Sequence, residues 1–169
     1  MLTYPQGITS IDQVAVVVPS LDQAMEQYWT KFGIGPWSVY TFKPDWIRDM
    51  TIRGRRQDYT MRLALTQMGP TMYELIEPVQ GPTLYQEFLA QHGGGLHHLG
   101  YFVQDLDKAI KAMEAQGYAM VQSGRGFGVD GDGGYAYFDT VSDVGCILEA
   151  IAMPTKMPDP ERTYPAASR

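Results

Sequence analysis

Residues 11–18, IDQVAVVV, are mostly apolar and β-branched; Leu21, Ala24, Met25, Tyr28 and Phe32 then follow at three- and four-residue intervals. The first pattern predicts a strand and the second a helix with one apolar face. Ser20, followed three residues on by Gln23, has the form of a capping box. Gly33 stands where a helix end takes a left-handed residue. The pattern then recurs. LHHLGYFVQDLDKAI (96–110) lies over IDQVAVVVPSLDQAM (11–25) at a constant offset of 85, with Val103 on Val18, Leu106 on Leu21, Asp107 on Asp22 and Ala109 on Ala24. Asp105 is the N-cap of the second helix, Leu106, Ala109, Ile110 and Met113 form its apolar face, and Gly117 ends it.

Further strands are predicted over 37–42, 48–54, 59–67 and 71–77, and in the second copy over 118–123, 134–139 and 146–152. YELIEP (73–78) lies over LEAIAM (148–153) at an offset of 75, so the first copy carries about ten extra residues, within FKPDWIRDMTIRGRRQDY. A helix over 84–91, started by Pro82-Thr83 and stopped by Gly93-Gly94-Gly95, joins the two copies. The expected fold class is α+β: two tandem βαβββ modules (1–80 and 95–154), a linker helix within 81–94, and a mixed sheet curled around a central cleft. A proline-rich tail, 155–169, is expected to lie extended over the surface or over a second subunit.

Composition narrows the partners. A net charge of −6 argues against nucleic acid or an anionic membrane. No apolar run reaches the roughly 20 residues that span a bilayer, and MLTYPQGITS lacks the form of a signal peptide. The single cysteine, Cys146, excludes an internal disulfide and fits a reducing cytoplasm.

The candidate chemistry follows from the repeat. Strand neighbours point to opposite faces, so at most one of His97 and His98 is expected to face the cleft. His98 aligns with Gln13, and Glu149 aligns with Glu74. Four polar groups among apolar neighbours, related by pseudo-symmetry, need a shared partner, and a divalent cation satisfies all four. One imidazole nitrogen and three oxygens suit zinc, nickel, cobalt, manganese or iron(II), with positions left for substrate.

These stretches, with GGGLHHLGYFVQDLDKAI and GCILEAI, resemble the vicinal oxygen chelate superfamily across roughly residues 8–154. The resemblance implies paired βαβββ modules and a metal held by Gln13, Glu74, His98 and Glu149. ELIEP followed by GGGLHH is most similar to methylmalonyl-CoA epimerases, which implies proton abstraction next to a carbonyl. Glu149 is then the expected base, with Glu74 across the cleft and Asp58 as a stand-in second base. The ligand set Gln, Glu, His, Glu also resembles glyoxalase I of the eukaryotic type. A lactoylglutathione lyase and a non-enzymatic binder of the bleomycin-resistance kind therefore stay open. A small carbonyl or acyl-thioester substrate and a homodimer are expected. Trp37, Tyr40, Trp46, Tyr101 and Tyr137 are the expected apolar lining, and Arg62, among the basic residues Arg48, Arg53, Arg55 and Arg56, is the expected contact to an anionic substrate group.

Overall fold

The computed structural model describes residues 7–166. Residues 1–6 and 167–169, which include the outer ends of the predicted first module and of the tail, lie outside the described residues. The strands are β1 (Gln13–Val17), β2 (Trp37–Phe42), β3 (Arg48–Ile52), β4 (Arg55–Arg56), β5 (Thr60–Met68), β6 (Thr71–Gln80), β7 (Gly95–Phe102), β8 (Met120–Phe127), β9 (Gly133–Phe138), β10 (Ile147–Ala152) and β11 (Arg162–Tyr164). The helices are α1 (Leu21–Phe32), α2 (Leu84–His92), α3 (Leu106–Ala115) and the short α4 (Val141–Val144). Among the described residues no helix is long and apolar enough to cross a membrane.

The helix ends have the chemistry their residues predict. The Ser20 hydroxyl accepts from Gln23 N–H, and the Asp105 carboxylate accepts from Lys108 N–H. Thr83 does the same for Gln86 at the start of α2. Gly33 and Gly93 close their helices in the left-handed conformation, at φ 68° and 72°.

All strands belong to one mixed sheet in the order β11-β2-β5-β6-β1-β7-β10-β9-β8-β3-β4. Its inner eight strands read as two mirror-ordered quartets, β2-β5-β6-β1 and β7-β10-β9-β8, meeting at the antiparallel pair β1–β7. The parallel pairs show how closely the copies match. Gln13 stands opposite Met72 and Ala15 opposite Glu74; His98 stands opposite Ile147 and Gly100 opposite Glu149. Both registers are therefore related by the same sequence offsets as the repeat.

The insertion departs from the expected plan. The strand expected over 48–54 does not join the first quartet: β3 pairs with β8, placing Thr51 opposite Ser123 and Ile52 opposite Gln122. The outer edge of β2 is covered instead by β11, with Thr163 opposite Ser38. Each quartet thus receives an edge strand from a segment belonging in sequence to the other, and edges covered in this way are protected from pairing with other chains. At the β3–β4 turn Arg53 donates to both oxygens of Glu87 on α2, at 2.8 and 2.6 Å. The tail runs extended from β10 to β2, tied by Thr155 to Asp132, by Glu161 to Thr41 and by Arg162 to Asp22.

Helices α1 and α3 cover one side of the sheet. Leu21 and Met25 are fully buried with Val16, Val18, Trp37, Val39, Ala64 and Leu75. Leu106 and Met113 pack with Tyr101, Ala136, Phe138 and Ala150. Phe32, read as part of the apolar face of α1, is 70% exposed because it lies in the last turn, beyond the reach of the sheet.

Met25→Ala is expected to lower the free energy of unfolding by about 2–5 kcal/mol, and Phe32→Ala to change it by less than about 0.5 kcal/mol, as read by denaturant unfolding. The Arg53 hydrogen bonds hold the Glu87 carboxyl below the usual carboxylate range. That contribution is present above the ordinary pKa and lost as pH falls through the lowered one. Because the pair is half exposed, it is worth only about 0.2–1 kcal/mol. The stability difference between wild type and Glu87→Gln should accordingly appear at neutral pH and vanish on acidification.

Candidate active site

Gln13, Glu74, His98 and Glu149 lie on β1, β6, β7 and β10, the four adjacent central strands. Their exposures are 4, 5, 0 and 4%. His98 Nε2 stands 3.0 Å from Glu149 Oε2 and 3.5 Å from Glu74 Oε2. Three of the buried atoms, Gln13 Oε1, His98 Nε2 and Glu149 Oε2, have no aligned hydrogen-bond partner. The imidazole and the carboxylate are thus close without the alignment of a hydrogen bond. Gly100, opposite both Gln13 and Glu149, makes the arrangement possible, because a Cβ there would lie 2.8 Å from Gln13 Oε1 and 2.9 Å from Gln13 Cβ.

Strict alternation breaks at the histidine pair for a definite reason. On β1, Ala15 pairs with His98 and Val16 with Leu96, so His97 is an extra residue in the ladder. Such a bulge breaks strict alternation and re-aims a side chain. His97 is 3% exposed, its Nδ1 lies 2.9 Å from His98 Nδ1, and both rings lie against Tyr137.

The electrostatics reflect burial and proximity. Burial pulls the His98 pKa down, but the Glu149 and Glu74 carboxylates outweigh it and raise it to about 9. Burial holds the Glu74 carboxyl above its usual range despite His98. His97 is pushed down to about 2, by burial first and by its neighbour second.

The four residues fit a divalent cation. Two ligands about 2.1 Å from one ion stand roughly 3.0 Å apart at a right angle and roughly 3.4 Å apart at the tetrahedral angle, and the two His98 spacings lie close to those values. Among the described residues no three histidine, cysteine or acidic side chains are gathered as a ready-made metal centre. The fit rests on these spacings, the three orphaned atoms and a nitrogen-and-oxygen donor set completed by the Gln13 amide.

The cavity beside these groups encloses about 130 Å³. Besides Gln13, Glu74 and Glu149, its walls include Tyr40, Met61, Leu63, Tyr135, Tyr137 and Met157. These come from both quartets and from the tail, so the sheet curls around the cavity. Two hydroxyl pairs fix the aromatic wall: Tyr59 with Tyr135 and Tyr85 with Tyr137, each at 2.7 Å. Tyr59 donates its only hydroxyl hydrogen to Ser123 C=O, so Tyr135 is the donor within the first pair. A larger open hollow of about 450 Å³ lies elsewhere, beside Arg48, Arg125 and the start of α3. It contains none of the four groups.

A profile of the Glyoxalase/Bleomycin resistance protein/Dioxygenase superfamily matches residues 12–138. The chain belongs to this superfamily. The match starts one residue before Gln13 on β1 and takes in His98 on β7. The 2-epi-5-epi-valiolone epimerase of Actinomyces sp is 34% identical over 113 residues, 65% of this chain and 60% of that protein. The mitochondrial methylmalonyl-CoA epimerase of Dictyostelium discoideum is 22% identical over 116 residues, 68% of this chain and 61% of that one. The chain thus spans about three fifths of the length of these curated relatives. The crystal structure of methylmalonyl-CoA epimerase from Mycobacterium tuberculosis shares the fold, with a TM-score of 0.63 at 22% identity over 89% of this chain and 95% of that one.

Of the residues expected at the cleft of this superfamily member, Tyr40 and Tyr137 line the cavity. Trp46 packs behind the wall, edge-on to Phe42 and tilted against Tyr40. Trp37 and Tyr101 are buried under the helices on the opposite side of the sheet. Arg62 alternates away from Met61 and Leu63 and is bound to Glu77 and Asp22. Asp58 is exposed beside Arg56, outside the cavity wall. Met61, Leu63 and Leu65 were legible in the alternation of TMRLALTQM, since Leu65 stands opposite Glu74. Tyr135 was legible in the alternation that places Tyr137 inward.

Gly100→Ala is expected to displace the Gln13 side chain and to cost about 1–3 kcal/mol by overpacking. Denaturant unfolding reads this, and an unchanged midpoint would show that the contact is not tight.

Proposed function

We propose that this protein is a metal-dependent epimerase that moves a proton on a carbon next to a carbonyl. The observation that carries the reading is the convergence of two glutamates, equivalent under the internal repeat, on one buried imidazole beside a small apolar cavity. A divalent cation held by Gln13, Glu74, His98 and Glu149 would supply Lewis-acid polarisation of a substrate carbonyl.

The residues do the remainder. Glu149 on β10 and Glu74 on β6 come from the two halves of the sheet, and both line the cavity, so each offers a carboxylate to a carbon bound there. A 1,1-proton transfer needs this pairing, because one group removes the proton and the other returns it from the opposite side. The surrounding methionine, leucine and aromatic side chains exclude water, which strengthens each charge interaction inside.

Cavity size limits what enters. An apolar cavity of about 150 Å³ accepts a benzene-sized molecule, so about 130 Å³ takes a small acyl or ketone portion and leaves any larger carrier outside. An acyl thioester meets this description and is the substrate class named in the Dictyostelium relative. The small volume also speaks against a binder of bulky ligands.

The test is metal content together with exchange. Protein purified without chelators should carry close to one equivalent of transition metal, lost in His98→Ala. In deuterium oxide, wild type should exchange the proton beside the carbonyl of methylmalonyl-CoA or a related small acyl thioester, with Glu149→Gln and Glu74→Gln slower by about 10²–10⁴. Absence of metal after incubation with zinc, nickel, cobalt and manganese would overturn the proposal.

A further inference from the structure

Two Nδ1 atoms 2.9 Å apart must share one hydrogen, with one ring donating and the other accepting. The contact exists because the bulge at His97 brings consecutive side chains together. The His97 ring is held there between Tyr85 and Phe88, at centroid distances of 5.2 and 5.1 Å. The His98 ring is held by Tyr137 at 4.8 Å. Neither imidazole can turn without disturbing an aromatic contact.

We infer that His97 is a positioning residue: its Nδ1 accepts from Nδ1–H of His98, which fixes the His98 ring so that Nε2 faces Glu74 and Glu149 and is the nitrogen available to a cation. A neutral histidine that ligates through Nε2 must carry its hydrogen on Nδ1, and that hydrogen needs an acceptor in a buried site. His97 is the acceptor present. The opposite assignment, with His97 donating, places a hydrogen on Nε2 of a neutral His98 and blocks it as a ligand. The inference rests on the reading of Gln13, Glu74, His98 and Glu149 as a cation site.

Long-range proton–nitrogen correlation spectra of the histidine-labelled, metal-free full chain, followed to a pH at which His98 has lost its second hydrogen and is neutral, test it directly. The expected result is a bare Nδ1 on His97 and a protonated Nδ1 on His98; a protonated His97 Nδ1 facing a bare His98 Nδ1 overturns the assignment. Zinc titration supplies the second arm. His97→Leu should bind zinc about 10–100-fold more weakly than wild type. His97→Asn, whose side-chain carbonyl can accept the same hydrogen, should recover part of that loss. Equal zinc affinity in wild type and His97→Leu would contradict the role of His97. A wild type that binds no zinc would instead sink the cation reading, leaving the hydrogen-bond assignment to the spectra. The spectra need no substitution, so the test stands even if a variant fails to fold.

Discussion

Two carboxylates, an imidazole and an amide are buried together at the midline of this sheet, and buried polar groups of this kind are costly unless something satisfies them. Each unsatisfied atom costs about 1–3 kcal/mol, and ions taken from water cost several kcal/mol each even after relaxation. Here three of the atoms have no aligned partner. Much of the surrounding structure can be understood as holding this cluster in place: Gly100 leaves room for Gln13, the bulge brings His97 onto His98, and Tyr137 packs against the imidazole. Such a cluster makes sense where a cation supplies the missing interactions.

Pseudo-symmetry explains how one short chain assembles it. Each copy contributes one of the four buried polar groups from its first strand and one from its last, and β1 beside β7 brings the four central strands together. The exchanged edge strands then stabilise the curl. The insertion reaches across to β8 and the tail reaches back to β2, so both ends of the sheet are covered by segments from the other half. Met157 on the tail lines the cavity as a consequence. Fold, edge protection and cavity wall are therefore coupled through the same two segments.

The sequence disclosed whatever depends on local pattern or on the repeat. Helix caps at Ser20 and Asp105 followed from neighbouring residues, and the equivalence of Glu74 with Glu149 followed from alignment of the copies. Long-range pairing left no such trace. Nothing within IRDMTIRG says that this strand crosses to β8, and nothing in LHHLG says that His97 is skipped by β1, because both depend on the partner strand. Trp37 and Tyr101 were assigned to the cleft on aromatic character, whereas strand alternation places them beneath α1 and α3. Arg62 was assigned to an anionic substrate group, but its anionic neighbours, Glu77 and Asp22, come from β6 and α1.

Whether a cation completes the buried cluster is read from thermal unfolding against free zinc concentration. A ligand that binds only the folded state stabilises it by about 2.7 kcal/mol at one hundred times its dissociation constant. The unfolding temperature should rise with zinc in the wild-type protein, fall on chelation, and be insensitive to zinc in His98→Ala. A wild-type protein that unfolds at the same temperature with zinc and with chelator would contradict the cation reading.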